Sequence, residues 1–139
     1  MNNILSRLPV YAAALWWGSL TTIGFLVVPL LFMHLPTPAL AGGMAAKLFT
    51  AQTWVSVTCG GILLLISTSK QASAPAQRAH DAIVFILLGL LLALLVEFAV
   101  APRIGTRTNL KLWHSVGSVM YLGQWLCAAI VFWRITPKQ

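Results

Sequence analysis

Apolar residues fill four long stretches of the chain, and polar residues gather in the short segments between them. The first stretch runs from Leu8 to Met33 without a charged residue. Three more follow at about 48–69, 82–101 and 112–133. Each is close to the roughly 20 residues that an α-helix needs to cross the hydrocarbon core of a bilayer. The pattern predicts an all-α integral membrane protein built as a bundle of four transmembrane helices.

Prolines predict where these helices bend or end. Pro29 predicts a kink or a loosened turn near the end of the first helix. Thr37 followed by Pro38 is typical of an N-cap with proline at the first helical position. We expect a short surface helix between helices 1 and 2, the alternative being a bent extension of helix 2, in either case running to Lys47. Pro102 predicts the end of helix 3.

The remaining segments leave no room for a domain outside the membrane. Residues 69–81 contain Ser, Gln, Ala and Pro and indicate a polar linker between helices 2 and 3. No internal repeat is evident in the sequence. We therefore predict a single four-helix membrane domain over residues 1–139.

Composition supports the membrane assignment. Hydrophobic residues make up 59% of the chain and charged residues 8%, against about 25% charged residues in a soluble domain. This excludes an ordinary soluble domain, a disordered chain and a disulfide-rich secreted module. The formal net charge of +7 would suggest nucleic acid in a soluble protein. Here the cations flank apolar stretches, so the predicted partner is the lipid bilayer and not a nucleic acid.

The distribution of Lys and Arg predicts the orientation. An even number of spans puts both chain ends on one side, which we name side A; the opposite side is side B. Side A holds Arg7, Lys70, Arg78, Arg134 and Lys138, and side B holds Lys47, Arg103, Arg107 and Lys111. The positive-inside rule then places side A in the cytoplasm of a bacterial inner membrane. So small an excess also leaves dual topology open.

Glu97 is the one acidic residue inside a predicted span. Charged groups in hydrocarbon are costly, so such residues are paired, protonated or functional. Four-residue steps back from Glu97 reach Ala93 and Gly89, and small residues at this spacing favour close helix contact. Glu97 is therefore expected to point into the bundle. His114, near the start of helix 4, should lie at a similar depth, and Ser118 follows it on the same helix face.

Gln52 of helix 2 and Arg103 complete a predicted polar cluster near side B. Its members are Glu97, His114, Gln52, Arg103 and Ser118. We expect Glu97 and His114 to form a hydrogen-bonded pair, with Gln52 as a further polar contact and Arg103 as an anion contact. Two interpretations stay open: a satisfied polar cluster that fixes helix register, or a site that responds to protons or cations.

The histidines and cysteines do not form a metal-binding pattern. They are His34, His80, His114, Cys59 and Cys127. The cysteines lie on different helices without a Cys-x-x-Cys motif, which favours a role as small buried apolar residues. No catalytic motif is present, and we predict neither catalytic residues nor a cofactor. The alternatives are copper(I) at Met33 and His34 and haem held by His114.

Three motifs in order carry a family resemblance. They are residues 29–36 followed by Lys47-Leu48-Phe49, then Pro102-Arg103, then residues 112–118. The chain resembles the transmembrane protein 205-like family, whose bacterial members carry a domain of unknown function, number 4149. The resemblance runs from about residue 11 to 133. It implies a small four-helix membrane protein, in a family whose eukaryotic relative is linked with platinum-drug resistance and membrane trafficking. The family's motif positions are Leu35, Pro36, Lys47, Leu48, Phe49, Pro102 and His114.

The leading functional hypothesis is a binding or interaction protein. Its polar intramembrane pocket on side B would hold a small ligand, a lipid headgroup or a partner helix. A second hypothesis is a proton-coupled exporter of cationic or soft-metal compounds, assembled as a homodimer or with another membrane protein. A third is a membrane enzyme that binds haem or quinone between its helices.

Overall fold

The chain is almost entirely helical. The computed structural model describes the backbone of residues 3–69 and 74–137 and the side chains of 6–69, 74 and 76–137. These residues contain no β-strand. The α-helices are α1 (Asn3–Thr22), α2 (Val28–His34), α3 (Pro38–Thr68), α4 (Ala74–Asp81), α5 (Ile83–Leu95), α6 (Ala101–Gly105) and α7 (Leu110–Ile135). Two π-helical turns, Ile23–Val27 and Val96–Val100, join α1 to α2 and α5 to α6.

Four continuous helical stretches of the described chain are long and apolar enough to cross a membrane. They are span 1 (Ser6–His34), span 2 (Pro38–Thr68), span 3 (Ile83–Gly105) and span 4 (Leu110–Ile135). Each packs against the next, and span 4 packs against span 1, so the four spans form a closed ring. The predicted all-α four-helix membrane bundle is confirmed. Lys70 and Lys138, two of the cations assigned to side A, lie outside the described residues.

The bundle is packed tightly towards side A and opens towards side B. Trp16 of span 1 is fully buried and reaches across the ring, where a Cβ atom at Gly89 would lie 2.8 Å from its indole. Around it pack Ala13, Leu20, Leu63, Ile86 and Val131. Towards side B, no residue of the first π-turn, α2 or α6 is buried, and the buried residues of α7 begin at Gln124. The side-B half therefore has little core of its own.

The segment between helices 1 and 2 is an extension of helix 2, which was the alternative expectation, and not a separate surface helix. Residues 38–47 form the first turns of α3, which continues without a break into span 2. The predicted cap does begin this helix, since Thr37 Oγ1 accepts a hydrogen bond from the Leu40 N–H at 3.3 Å. Ala41 and Ala45 are buried, and the extension packs against α2. This contact holds it in the bundle instead of on the membrane surface.

The predicted polar linker before span 3 contains helix α4. Ala76 and Ala79 are buried, so alanine supplies an apolar face that the polar composition of the segment conceals. Arg134 of span 4 donates a hydrogen bond from Nη1 to the carbonyl of Asp81 at 3.0 Å. Its guanidinium lies 4.8 Å from the centre of the Phe85 ring. Together these contacts fix α4 over the side-A end of the bundle.

Both π-turns precede a proline at the same distance. Residues 25–29 and 98–102 share the pattern Phe-x-Val-x-Pro. Proline lacks an N–H, and its ring clashes with the carbonyl four residues earlier in an α-helix. In both spans the residue before the proline, Val28 or Ala101, donates its N–H to a carbonyl five residues back. The wider turn makes room for the proline inside the membrane.

These turns decide three of the sequence predictions. The expected distortion near Pro29 is confirmed. The expected end of helix 3 at Pro102 is wrong, because the π-turn before it lets span 3 continue to Gly105. The expectation of no internal repeat is also wrong. The two motifs are a short repeat at corresponding places in spans 1 and 3, which run in the same direction.

Tyr121 of span 4 holds span 1 just before the first π-turn. Its hydroxyl donates to the carbonyl of Leu20 at 2.7 Å. The N–H of Gly24 in turn approaches the hydroxyl oxygen of Tyr121. In a regular α-helix these two backbone groups would bond to each other, so the hydroxyl joins the backbone ladder at this step. A Cβ atom at Gly24 would lie 2.4 Å from Tyr121 Cε1. Only glycine permits this approach.

We expect Gly24→Ala to lower the free energy of unfolding by about 1–3 kcal/mol, the usual cost of overpacking. The added methyl group would push the Tyr121 ring away from Leu20. Thermal or denaturant unfolding in detergent measures the change.

Gly18→Ala is the matched control, because a Cβ atom at Gly18 in the same helix meets nothing within 4 Å. It should leave stability unchanged or raise it slightly, because alanine is a better helix former than glycine. Equal stability of the two variants would contradict the tight contact between Tyr121 and the first π-turn.

Candidate functional site

Glu97 lies in the second π-turn, more than two helical turns before the end of span 3. It is half-buried. Thr50 Oγ1 of span 2 lies 2.9 Å from one carboxylate oxygen and 3.2 Å from the other. Because Thr50 is itself exposed, the pair lies at the seam between spans 2 and 3 and not on the bundle axis. π-helical turns occur frequently at functional sites.

The structure does not gather the predicted polar cluster in one place. Among the described residues no hydrogen bond or ion pair joins Glu97 to His114, and His114 and Ser118 are exposed on the side-B half of span 4. Arg103 donates Nη1 to the carbonyl of Ala99 at 2.9 Å. Its guanidinium lies 4.6 Å from the centre of the Trp113 ring. Arg103, His114 and Ser118 therefore lie on the side-B halves of spans 3 and 4, and no hydrogen bond or ion pair among the described residues joins them to Glu97.

Gln52 belongs to a second polar group, buried near the middle of the spans. Its Nε2 donates to Ser19 Oγ of span 1 at 3.0 Å and lies 3.4 Å from Ser56 Oγ of its own helix. Gln124 of span 4 donates its Nε2 to the same Ser56 Oγ at 2.8 Å. We name these four residues the midplane network. It ties three of the four spans together.

The sequence analysis did not predict Thr50 as the partner of Glu97, or Ser19 and Gln124 as members of the network around Gln52. A usable signal for Gln124 was present, since Phe49 precedes Gln52 by three residues as Tyr121 precedes Gln124. The rings of Phe49 and Tyr121 contact each other, with centroids 5.3 Å apart. Together with the Phe-x-Val-x-Pro repeat, this spacing relates spans 1 and 2 to spans 3 and 4. We name this relation between the two halves of the chain the quasi-repeat. No comparable signal marks Thr50 or Ser19.

The quasi-repeat puts Glu97 where its first half has Gly24. Gly24 faces Tyr121 of span 4, and Glu97 faces Thr50 of span 2, the residue after Phe49. The seam between spans 1 and 4 and the seam between spans 2 and 3 are therefore equivalent in position but different in chemistry. One is filled by a tyrosine ring, and the other holds a carboxylate.

The other candidate groups lie elsewhere. In the described part of the chain no three His, Cys, Asp or Glu residues come close enough to hold a metal ion. Met33, His34 and His80 are exposed, and Cys59 and Cys127 are buried as free thiols. A shallow groove between spans 1 and 2 is lined by Leu15, Trp54, Val55, Thr58 and Cys59. It includes none of the predicted polar residues.

Several of the positions that carry the family resemblance have structural roles. Leu35 and Pro36 form the bend between spans 1 and 2, where Leu35 N–H closes the last turn on the carbonyl of Leu31 at 3.0 Å. Lys47 is exposed on span 2, and Leu48 beside it is half-buried. Phe49 contacts Tyr121, and Pro102 follows the second π-turn, as described above.

Glu97→Met tests whether the carboxylate serves stability. One hydroxyl satisfies little of an ionised carboxylate in hydrocarbon, so we expect Glu97→Met to raise the thermal unfolding midpoint. A satisfied structural cluster would instead lose stability on this change.

Thr50→Val, combined with Glu97→Met, completes a double-mutant cycle that tests the hydrogen bond between Thr50 and Glu97. Alone, it should lower stability by about 0.6 kcal/mol, and by no more than about 1.7 kcal/mol, the range for hydrogen bonds within membrane bundles. In the Glu97→Met background the loss should vanish, because the acceptor is gone. Equal losses in both backgrounds would contradict the bond.

Comparison with known families finds one match. The model of a domain of unknown function (DUF4149) matches residues 11–111, which include span 1 from residue 11 onwards, all of spans 2 and 3, both π-turns and Glu97. The match ends just before residues 112–118, the third motif of the resemblance. The searches of curated proteins and of solved structures find no match. Because the family model covers more than half of the chain, this multi-pass membrane protein belongs to the DUF4149 family.

Proposed function

We propose that this protein binds a small lipophilic cation inside the membrane at Glu97. The observation that carries the proposal is the pairing of the carboxylate. Within the described residues its two oxygens share one hydroxyl, that of Thr50, and no Lys, Arg or His forms an ion pair with it. An ionised carboxylate offers about four acceptor positions. A bound cation would supply the positive charge that the carboxylate lacks.

The surroundings of Glu97 support a ligand from the side-B half. Towards side B, the first π-turn, α2 and α6 contain no buried residue, so a ligand that approaches from that side meets little packed core. Phe98, beside Glu97, is 67% exposed, and Phe49 lies beside Thr50 on span 2. Aromatic rings attract cations through their faces. These features support binding at the seam between spans 2 and 3, beside one charged group.

The first test measures binding of tetraphenylphosphonium to the full chain in lipid nanodiscs by titration calorimetry. Glu97→Gln keeps the shape of the side chain and removes its charge. We expect it to weaken binding at least tenfold, which corresponds to about 1.4 kcal/mol. Unchanged affinity in this variant would overturn the proposal.

Two controls make the result specific. Asp81 is the other acidic residue of the chain, and it is exposed in α4 on side A. Asp81→Asn should leave binding unchanged. Tetraphenylborate has the same shape as the probe and the opposite charge, and Glu97→Gln should not weaken its binding.

A second candidate function is proton-coupled export of such cations. The quasi-repeat of spans 1–2 and 3–4 favours it, because many transporters are built from paired halves around a site near the bilayer midplane. Glu97 would then exchange a proton for the cation. Cells that express the wild type should tolerate lipophilic cations better than cells that express Glu97→Gln. Equal tolerance would exclude export through Glu97.

We further infer that the membrane is the bacterial inner membrane, with both chain ends in the cytoplasm. The excess of Lys and Arg on side A supports this orientation. The ordered motifs around Pro36, Pro102 and His114 support a relationship to the transmembrane protein 205-like proteins. Cysteine accessibility at residue 6 and residue 108, on opposite sides, tests the orientation.

A further inference from the structure

The midplane network contains an acceptor atom without a donor. Gln52 is only 2% exposed, and its Oε1 is buried with no hydrogen-bond partner in the described part of the chain. The other end of the same amide, Nε2, contacts Ser19 and Ser56. The network is thus satisfied on one side of the Gln52 amide and open on the other.

The direction of each hydrogen bond fixes this orientation of the amide. The hydroxyl of Ser19 donates its proton to the carbonyl of Trp16 at 3.0 Å, and that of Ser56 donates to the carbonyl of Gln52 at 3.0 Å. A serine hydroxyl has one proton, so both oxygens can only accept from the Gln52 side chain. Turning the amide over would set its oxygen against two acceptors. With these hydrogen bonds Gln52 Oε1 faces away from both serines.

A donor group without an acceptor lies on the neighbouring turn of span 1. Trp16 is fully buried, and its indole N–H has no acceptor among the described residues. Trp16 is joined to the network through its own carbonyl and Ser19. A water molecule donates and accepts at once, and buried waters typically satisfy two to four such groups.

We propose that an ordered water molecule occupies the interior of the bundle at the midplane and donates a hydrogen bond to Gln52 Oε1. The lining favours a neutral occupant, because a cation would meet the indole N–H of Trp16 and an anion would meet Gln52 Oε1. In this proposal the indole N–H of Trp16, which has no acceptor among the described residues, donates to the same water. This site is separate from the seam at Glu97 and does not depend on the proposed function.

Water-edited solid-state NMR of the full chain in proteoliposomes tests the proposal. We expect magnetisation from water to reach the side-chain amide of Gln52 as fast as that of Gln77, which is exposed. Leu63, fully buried in the same span, should respond several-fold more slowly. Thr53 controls for relay through a buried hydroxyl, since its Oγ1 donates to the carbonyl of Phe49 at 3.1 Å. A response of Gln52 as slow as that of Leu63 or Thr53 would overturn the proposal.

Two variants then locate the water. Gln124→Met removes a member of the network but keeps Gln52 Oε1, so the water signal at Gln52 should persist. Gln52→Met removes the acceptor, and the indole N–H of Trp16 should lose its transfer from water. An unchanged Trp16 signal in Gln52→Met would show that the water does not sit on Gln52. The wild-type measurement remains decisive if either variant fails to fold.

Discussion

Hydrocarbon supplies no partner for a backbone polar group, and a proline inside a span removes a donor from the helix ladder. Both Phe-x-Val-x-Pro segments meet this constraint with a π-turn. In span 1 the hydroxyl of Tyr121 also donates a hydrogen bond to the carbonyl of Leu20, so the π-turn is stabilised by a bond between spans 1 and 4. The arrangement of spans 1 and 4 follows from it. Gly24 must lack a side chain, and Trp125 lies beside the turn with its indole N–H on Thr21.

Span 3 contains the same turn but not the same partner. Its counterpart of Gly24 is Glu97, and the counterpart of Tyr121 is Phe49, which has no hydroxyl. The seam between spans 2 and 3 therefore has no tyrosine to fill it or to bond to the backbone. A carboxylate occupies the space instead and reaches one threonine hydroxyl. The charged group thus lies where the two halves differ both in the side chain of the turn and in its partner, which argues that it serves something other than packing.

The sequence predicted well what depends on hydropathy and poorly what depends on register. Four apolar stretches and the Thr37 cap have local causes, and both appear in the structure. The inward direction of Glu97 was argued from four-residue steps through Ala93, which assumes a regular α-helix. The π-turn adds a residue to that turn, so four-residue steps no longer give the direction of Glu97, which lies half-buried beside span 2. The partner Thr50 follows from how spans 2 and 3 are aligned, which no pattern within either span reveals.

The asymmetry in packing sets the direction from which a ligand could reach Glu97. Towards side A the ring is filled by Trp16 against Gly89 and covered by α4, which Arg134 holds in place. The midplane network closes the interior at the level of Gln52. A cation that enters from side A would have to displace all of these layers. On the side-B half no comparable core exists. Access from side B or from the surrounding lipid through the seam between spans 2 and 3 is thus the route that leaves the packed core intact.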